Sequence, residues 1–195
     1  MLFRAAVMGL AALAVSAPLP AQQFNGVIEY AIGAKKEMTL RYMVQDGKIR
    51  QEMESDEMPG GMYALVDGEA MKMHMVMAGM GMYMEMDLAK AAADAAKAKP
   101  GTGTVEKLGT SDRIAGLECE NWLMKDGKDQ VEVCLARGMG YFMAPGGGGG
   151  PMEGFSSPDF SQYKEAFEGG AMPLRMTVIK GNKRELAMEA TSVER

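Results

Sequence analysis

The sequence predicts a mainly β domain with a minor α component, about eleven antiparallel strands and two short helices. Short runs of alternating apolar and polar residues recur through most of the 195 residues, the period of half-buried strands. Turn dipeptides such as Asp46-Gly47 and Asp126-Gly127 separate these runs, as in chains of hairpins. The length suits one domain, and no break in the pattern marks a second core.

The opening stretch MLFRAAVMGLAALAVSAPLPAQQ has one basic residue, Arg4, an apolar run from Ala5 to Val15, and Leu19-Pro20-Ala21 as a cleavage end. Residues 1–21 therefore read as a signal peptide, leaving a single domain over 22–195 that is exported to the periplasm or secreted. The apolar run is too short to span a bilayer, and no cysteine near Ala21 can carry a lipid, so no permanent membrane anchor is expected. Beyond residue 21 the 20 basic residues are scattered among 26 acidic ones, which argues against nucleic acid as a partner.

In EMTLRYMVQDGKIRQEME, a two-residue turn at Asp46-Gly47 pairs Val44 with Ile49 and Leu40 with Met53 on one face, and Arg41 with Glu52 on the other. A loop of Gly181-Asn182-Lys183 opposes Val178 to Leu186, Met176 to Met188 and Arg175 to Glu189. In CENWLMKDGKDQVEVC, a turn at Asp126-Gly127 sets Cys119 opposite Cys134. Two cysteines so placed in an exported chain predict a cross-strand disulfide.

Two segments leave the strand pattern. The alanine-rich DLAKAAADAAKAK following Met86 ends near Pro100-Gly101 and reads as a helix. In SPDFSQYKEAFEGG, Ser157 is an N-cap and Phe160, Tyr163 and Phe167 form the apolar stripe of a second helix. Before it, residues 144–154 are glycine-rich and read as a flexible loop, with a lid over a cavity as the alternative.

The stretch MKMHMVMAGMGMYMEM holds eight methionines in sixteen residues and the chain's one histidine. Strand periodicity puts Met71, Met73, Met75 and Met77 on one face, and a turn at Gly79-Met80 brings Met82, Met84 and Met86 opposite on that face. The other face pairs Val76 with Tyr83, His74 with Glu85 and Lys72 with Asp87. His74 thus points away from the thioethers, which removes a mixed His/Met copper site and leaves a methionine-only Cu(I) site of Met73, Met75 and Met84 as an alternative. Methionine is also frequent elsewhere, at 14 of the remaining 179 residues. A chain-wide habit fits an adaptable core or the wall of an apolar ligand site.

The elements Phe24-x-Gly26-x-Ile28-x-Tyr30, Gly47-Lys48-Ile49-Arg50, Asp67, Met82-Tyr83, Ile114-Ala115-Gly116-x-x-Cys119 and Gly170-x-x-Pro173-Leu174 resemble an exported bacterial group, domain-of-unknown-function family 4412. The resemblance runs through most of the mature chain and carries no catalytic signature. It implies an architecture similar to periplasmic lipoprotein carriers: a strongly curved, incomplete barrel wrapping helices and an apolar cavity. Cys134 stands where that family suggests an aromatic residue, so the disulfide expectation is local to this sequence.

An enzyme is not expected. His74 has no recognisable nucleophile partner, and Gly-x-Ser-x-Gly, P-loop and His-Glu-x-x-His motifs do not occur. The leading expectation is a non-enzymatic, cofactor-free binding protein for an apolar small molecule or lipid. Its wall would be the methionine face and its plug the Phe160/Tyr163/Phe167 helix. The alternatives are a methionine-rich Cu(I)-binding or oxidant-scavenging protein, and an interaction module with a filled core.

Overall fold

The computed structural model describes residues 24–33, 35, 38–56, 60–97, 103–127, 129–140, 142, 164–167 and 169–195. Its strands are β1 (Gly26–Ile32), β2 (Met38–Gln45), β3 (Lys48–Ser55), β4 (Met62–Asp67), β5 (Lys72–Met77), β6 (Met82–Asp87), β7 (Thr104–Ile114), β8 (Leu117–Asp126), β9 (Asp129–Arg137), β10 (Ala171–Lys180) and β11 (Lys183–Glu194). They form one curved, unclosed antiparallel sheet in the order β6-β5-β4-β3-β2-β1-β11-β10-β9-β8-β7. Two helices accompany it, α1 (Leu88–Lys97) and the single turn α2 (Lys164–Phe167).

Two meanders make the sheet, β1 to β6 and β7 to β11, and they join where β1 pairs with β11. One face of both carries the main core: Ile28, Tyr30, Leu40, Tyr42, Met53, Trp122, Met124, Val133, Leu135 and Met188 are all buried. We call this the inner face. Around the second meander the outer face is covered as well, since Cys119, Asn121, Cys134, Ala136 and Met172 are buried there. Residues 1–21, read above as a signal peptide, the glycine-rich segment 144–154, Ser157, Phe160 and Tyr163 lie outside the described residues.

The Asp46-Gly47 hairpin has the expected register, with Val44–Ile49, Arg41–Glu52 and Leu40–Met53 opposite one another. Both turn residues take positive φ, 49° at Asp46 and 76° at Gly47, as a twist-matched two-residue turn requires. Two other turns differ from expectation. At the C-terminal hairpin the turn is Gly181-Asn182, not a three-residue loop, so Lys180 pairs with Lys183 and Val178 with Glu185. A bulge between Met176 and Thr177 absorbs the extra residue and restores the expected Met176–Met188 and Arg175–Glu189 pairs.

The disulfide exists but not for the reason the spacing suggested. Asp126 pairs with Asp129, so Cys134 faces Asn121, and Cys119 lies two residues along on the same face. Cys119 and Cys134 are bonded diagonally, with Cα atoms 5.2 Å apart, inside the range a disulfide spans. The observed register puts Trp122 opposite Val133 and Met124 opposite Val131. A turn at Asp126-Gly127 would have set Met124 against Asp129 on the core face, so apolar matching outweighs the turn dipeptide.

Asp87 caps α1: its Oδ1 accepts the Lys90 amide at 2.8 Å. The chain then passes from β6, one edge of the sheet, through α1 to β7, the other edge.

Candidate functional site

Strand pairing stacks the methionines into lateral rows across the inner face. One row runs Leu40, Met53, Met62, Met77, Met82; the next Tyr42, Gln51, Ala64, Met75, Met84; the third Val44, Ile49, Val66, Met73, Met86. Eight thioether side chains, from Met53, Met62, Met73, Met75, Met77, Met82, Met84 and Met86, therefore share one face of four strands. The rungs Met73–Met86, Met75–Met84 and Met77–Met82 are those expected from the sequence. The connection differs: Ala78–Met80 forms a 3₁₀ turn closed by Gly81 at φ 61°, in place of a two-residue turn. Four loop residues and two give the same register, so the pairing survives.

Exposure along these rows is graded. Met73, Met75 and Met77 are 7%, 7% and 5% exposed, whereas Met82 and Met84 on the edge strand are 46% and 40% exposed. Met71 lies before β5, in the turn 68–71, with φ 50° and 40% exposure, and belongs to no rung. Leu88 of α1 and Met86 pack on the small cluster Ala64, Val66, Met73 and Met75. Over β3, β4 and β5 lies a cavity of about 10 Å³ lined by Gln51, Met53, Met62, Ala64 and Met75, space for about one water. An acyl chain does not fit in it.

The centre of the inner face is filled by a ring that no periodicity marked. Phe142 stacks on Tyr42 at 5.6 Å and meets Tyr30 edge-on at 6.5 Å. It takes the plug position assigned above to the second helix, of which Phe167 is half-buried and packs on the same core. The Tyr30 hydroxyl is buried beside Tyr42 and has no hydrogen-bond partner among the described residues. Burial, with Tyr42 adding to it, pushes its pKa well above the usual phenol range.

Two polar clusters flank the apolar rows. On the outer face, His74 stacks on Tyr83 with ring centroids 5.9 Å apart, and its Nδ1 lies 2.6 Å from the Tyr83 hydroxyl. Lys72 Nζ donates to Glu85 at 2.8 Å, and Glu85 lies 3.6 Å from His74. This bond and the opposite charge hold the Glu85 carboxyl below, and Lys72 above, their ordinary values. On the inner face, Lys107 and Arg137 sit 5.8 and 5.3 Å from the Trp122 ring, and Glu120 bridges them at 2.7 and 3.6 Å. Arg137 also donates to the Ala166 carbonyl at 2.7 Å, tying α2 to the sheet. Its signal, a basic residue on each strand beside Trp122, was visible only once the register was known.

Among the described residues no group of three His, Cys, Asp or Glu side chains is placed to hold a metal ion. No described helix is long and apolar enough to cross a membrane.

The residues that carried the resemblance fill structural positions. A Cβ on Gly26 would collide with the Glu194 carbonyl oxygen, so only glycine lets β1 lie this close to β11. Ile28 and Tyr30 are fully buried. Asp67 Oδ1 accepts the Glu69 and Ala70 amides at 3.0 and 2.9 Å, shaping the turn before β5. Ala115 and Gly116 both take positive φ between β7 and β8, and a Cβ on Gly170 would press on the Gly140 carbonyl.

No curated protein shows significant similarity to this chain. The family model described as "Domain of unknown function (DUF4412)" matches residues 24–195, a range that includes all eleven strands, and the chain belongs to that family.

Proposed function

We propose that this is a soluble, exported, non-enzymatic binding protein that holds an apolar ligand, a lipid or acyl chain, against the methionine rows of β4 to β6. One observation carries the reading: the inner face is buried over β1 to β3 but stays open along β6, where Met82 and Met84 continue the apolar rows into solvent. Unbranched thioether side chains adapt to ligands of different shape. The nearby cavity is water-sized, so the ligand lies along the open end of the half-barrel. The resemblance of such sheets to periplasmic lipoprotein carriers supports the same reading as analogy only. The signal-peptide reading of residues 1–21 supports a periplasmic or secreted location.

A second reading, methionine-only Cu(I) binding, is favoured by the Met75–Met84 rung and its neighbours Met73 and Met86, which group soft sulfur ligands at one place. Native mass spectrometry of gently purified protein separates the two. A co-purifying apolar molecule is expected, and a copper adduct alone would favour the second reading. Titration with an apolar fluorescent dye adds the site. Met84→Glu puts a carboxylate on the open apolar face without disturbing the buried core, and should weaken dye binding at least about tenfold. Tyr83→Glu, one residue along on the outer face, should leave it nearly unchanged. A folded wild type that binds no dye and carries no adduct would remove the ligand reading.

A further inference from the structure

The two edges of this sheet are built differently. β7 is blunted in the usual ways: Glu106, Lys107, Asp112 and Arg113 lie along it, and a bulge between Lys107 and Ser111 breaks its line. β6 has neither lysine nor bulge and pairs with β5 without interruption along Met82–Asp87. Around it cluster exposed apolar groups of both faces: Met80 62%, Tyr83 60%, Met82 46%, Met84 40% and Leu65 38%. An open, regular, apolar edge is a template for another strand.

The sequence of that edge, Met82-Tyr83-Met84-Glu85-Met86, is complementary to itself. Laid antiparallel against a second copy with the two-fold axis at Met84, it pairs Met82 with Met86 and Met84 with Met84 on the inner face. On the outer face it pairs Tyr83 with Glu85. No like charges meet. Moving the axis to Glu85 sets two carboxylates opposite each other, a destabilising pair. Moving it to Tyr83 leaves Glu85 opposite Gly81, which has no side chain and turns away at φ 61°. Placing the axis between residues would turn the inner face of one copy onto the outer face of the other, against the pleat. One register satisfies both faces.

We propose that β6 is a homodimerisation edge, through which two copies of this chain pair antiparallel about Met84 and join their sheets, with the methionine rows continuous across the axis. Glu85 enters the pairing already balanced by Lys72 at 2.8 Å, so the Tyr83–Glu85 rung brings a phenol to a carboxylate that carries a counter-ion. The inference is independent of any bound ligand.

Cysteine cross-linking tests the register, because the two native cysteines are bonded to each other and no free thiol competes. Met84→Cys should give a disulfide-linked dimer under mild oxidation, since self-paired residues have Cα atoms about 4.5 to 5.5 Å apart. Tyr83→Cys and Glu85→Cys should each self-link far less than Met84→Cys and should form a linked heterodimer when mixed. Sedimentation velocity of the wild type should show concentration-dependent dimers, and Met84→Lys, which sets two ammonium groups face to face, should weaken association at least about tenfold. Wild-type protein that stays monomeric to about 100 μM while Met84→Cys fails to cross-link would overturn the proposal, as would equal self-linking by all three cysteine variants.

Discussion

Asp112 joins three strands through one carboxylate. On β7, it is ion-paired to Arg175 of β10 and accepts from Asn121 Nδ2 of β8 at 3.2 Å, while Asn121 also donates to Thr110 at 3.1 Å. The Arg175 bond, then the Asn121 bond, holds its pKa below the ordinary 3.8. A depressed folded pKa contributes stability above the unfolded value that is lost as pH falls through the folded one. Thermal melts of wild type and Asp112→Asn should therefore differ by a constant amount above about pH 5 and converge as the pH falls through the depressed pKa. A difference that does not shrink as the solution is acidified would assign the effect to shape instead of charge. Tyr30 gives the opposite case, a buried hydroxyl with no partner among the described residues. Tyr30→Phe removes an unsatisfied donor and keeps the ring against Phe142, so stability should hold or rise by about 1 kcal/mol in urea titration.

At the scale of elements, hairpins were legible in the sequence wherever turn chemistry and apolar alternation agreed. Asp46-Gly47 is such a place, and the methionine rungs keep their expected register although their turn residues differ. Where the two signals disagree, alternation wins, as at Trp122–Val133, because a register slip would carry core residues away from their partners. Bulges such as that at Met176/Thr177 have no local signature here; they reconcile a two-residue turn with an outer register already set by packing. Phe142 was illegible for a related reason: its contacts with Tyr30 and Tyr42 span about a hundred residues of sequence, and no periodicity reports such a contact. The grading of the methionine face was also hidden, since equal spacing cannot show that β5 is covered and β6 open. The disulfide tests element energetics directly. It closes a separation of 15 residues, and replacing both cysteines by serine should lower the unfolding free energy by about 3 kcal/mol, with strain relief reducing that figure. Chemical denaturation with unchanged m-value would locate the loss in stability and not in altered compactness.

For the molecule as a whole, the decisive contact is the seam between its first strand and its last. β1 and β11 pair from Val27–Glu194 to Ile32–Met188, across nearly the whole chain, and join the meander ending at β6 to the one beginning at β7. Separated there, each meander would expose core residues that now face the other: Ile28 and Tyr30 on one side, Met188 and Ala190 on the other. Neither half then has a closed core, so the sheet should unfold as one unit. Gly26 gives a handle on the seam because a methyl group there meets the Glu194 carbonyl and Phe24. Gly26→Ala should destabilise by about 1 to 3 kcal/mol, the range of an overpacked site. The single tryptophan, Trp122, lies in the second meander, whereas far-ultraviolet circular dichroism sees both. In Gly26→Ala as in wild type, fluorescence and dichroism should report the same urea midpoint, shifted lower in the variant. Fluorescence that keeps its wild-type midpoint while dichroism splits into two steps would show that the second meander stands alone. The seam would then be an interface between two units, and the methionine rows of the first would be free to open independently of the rest.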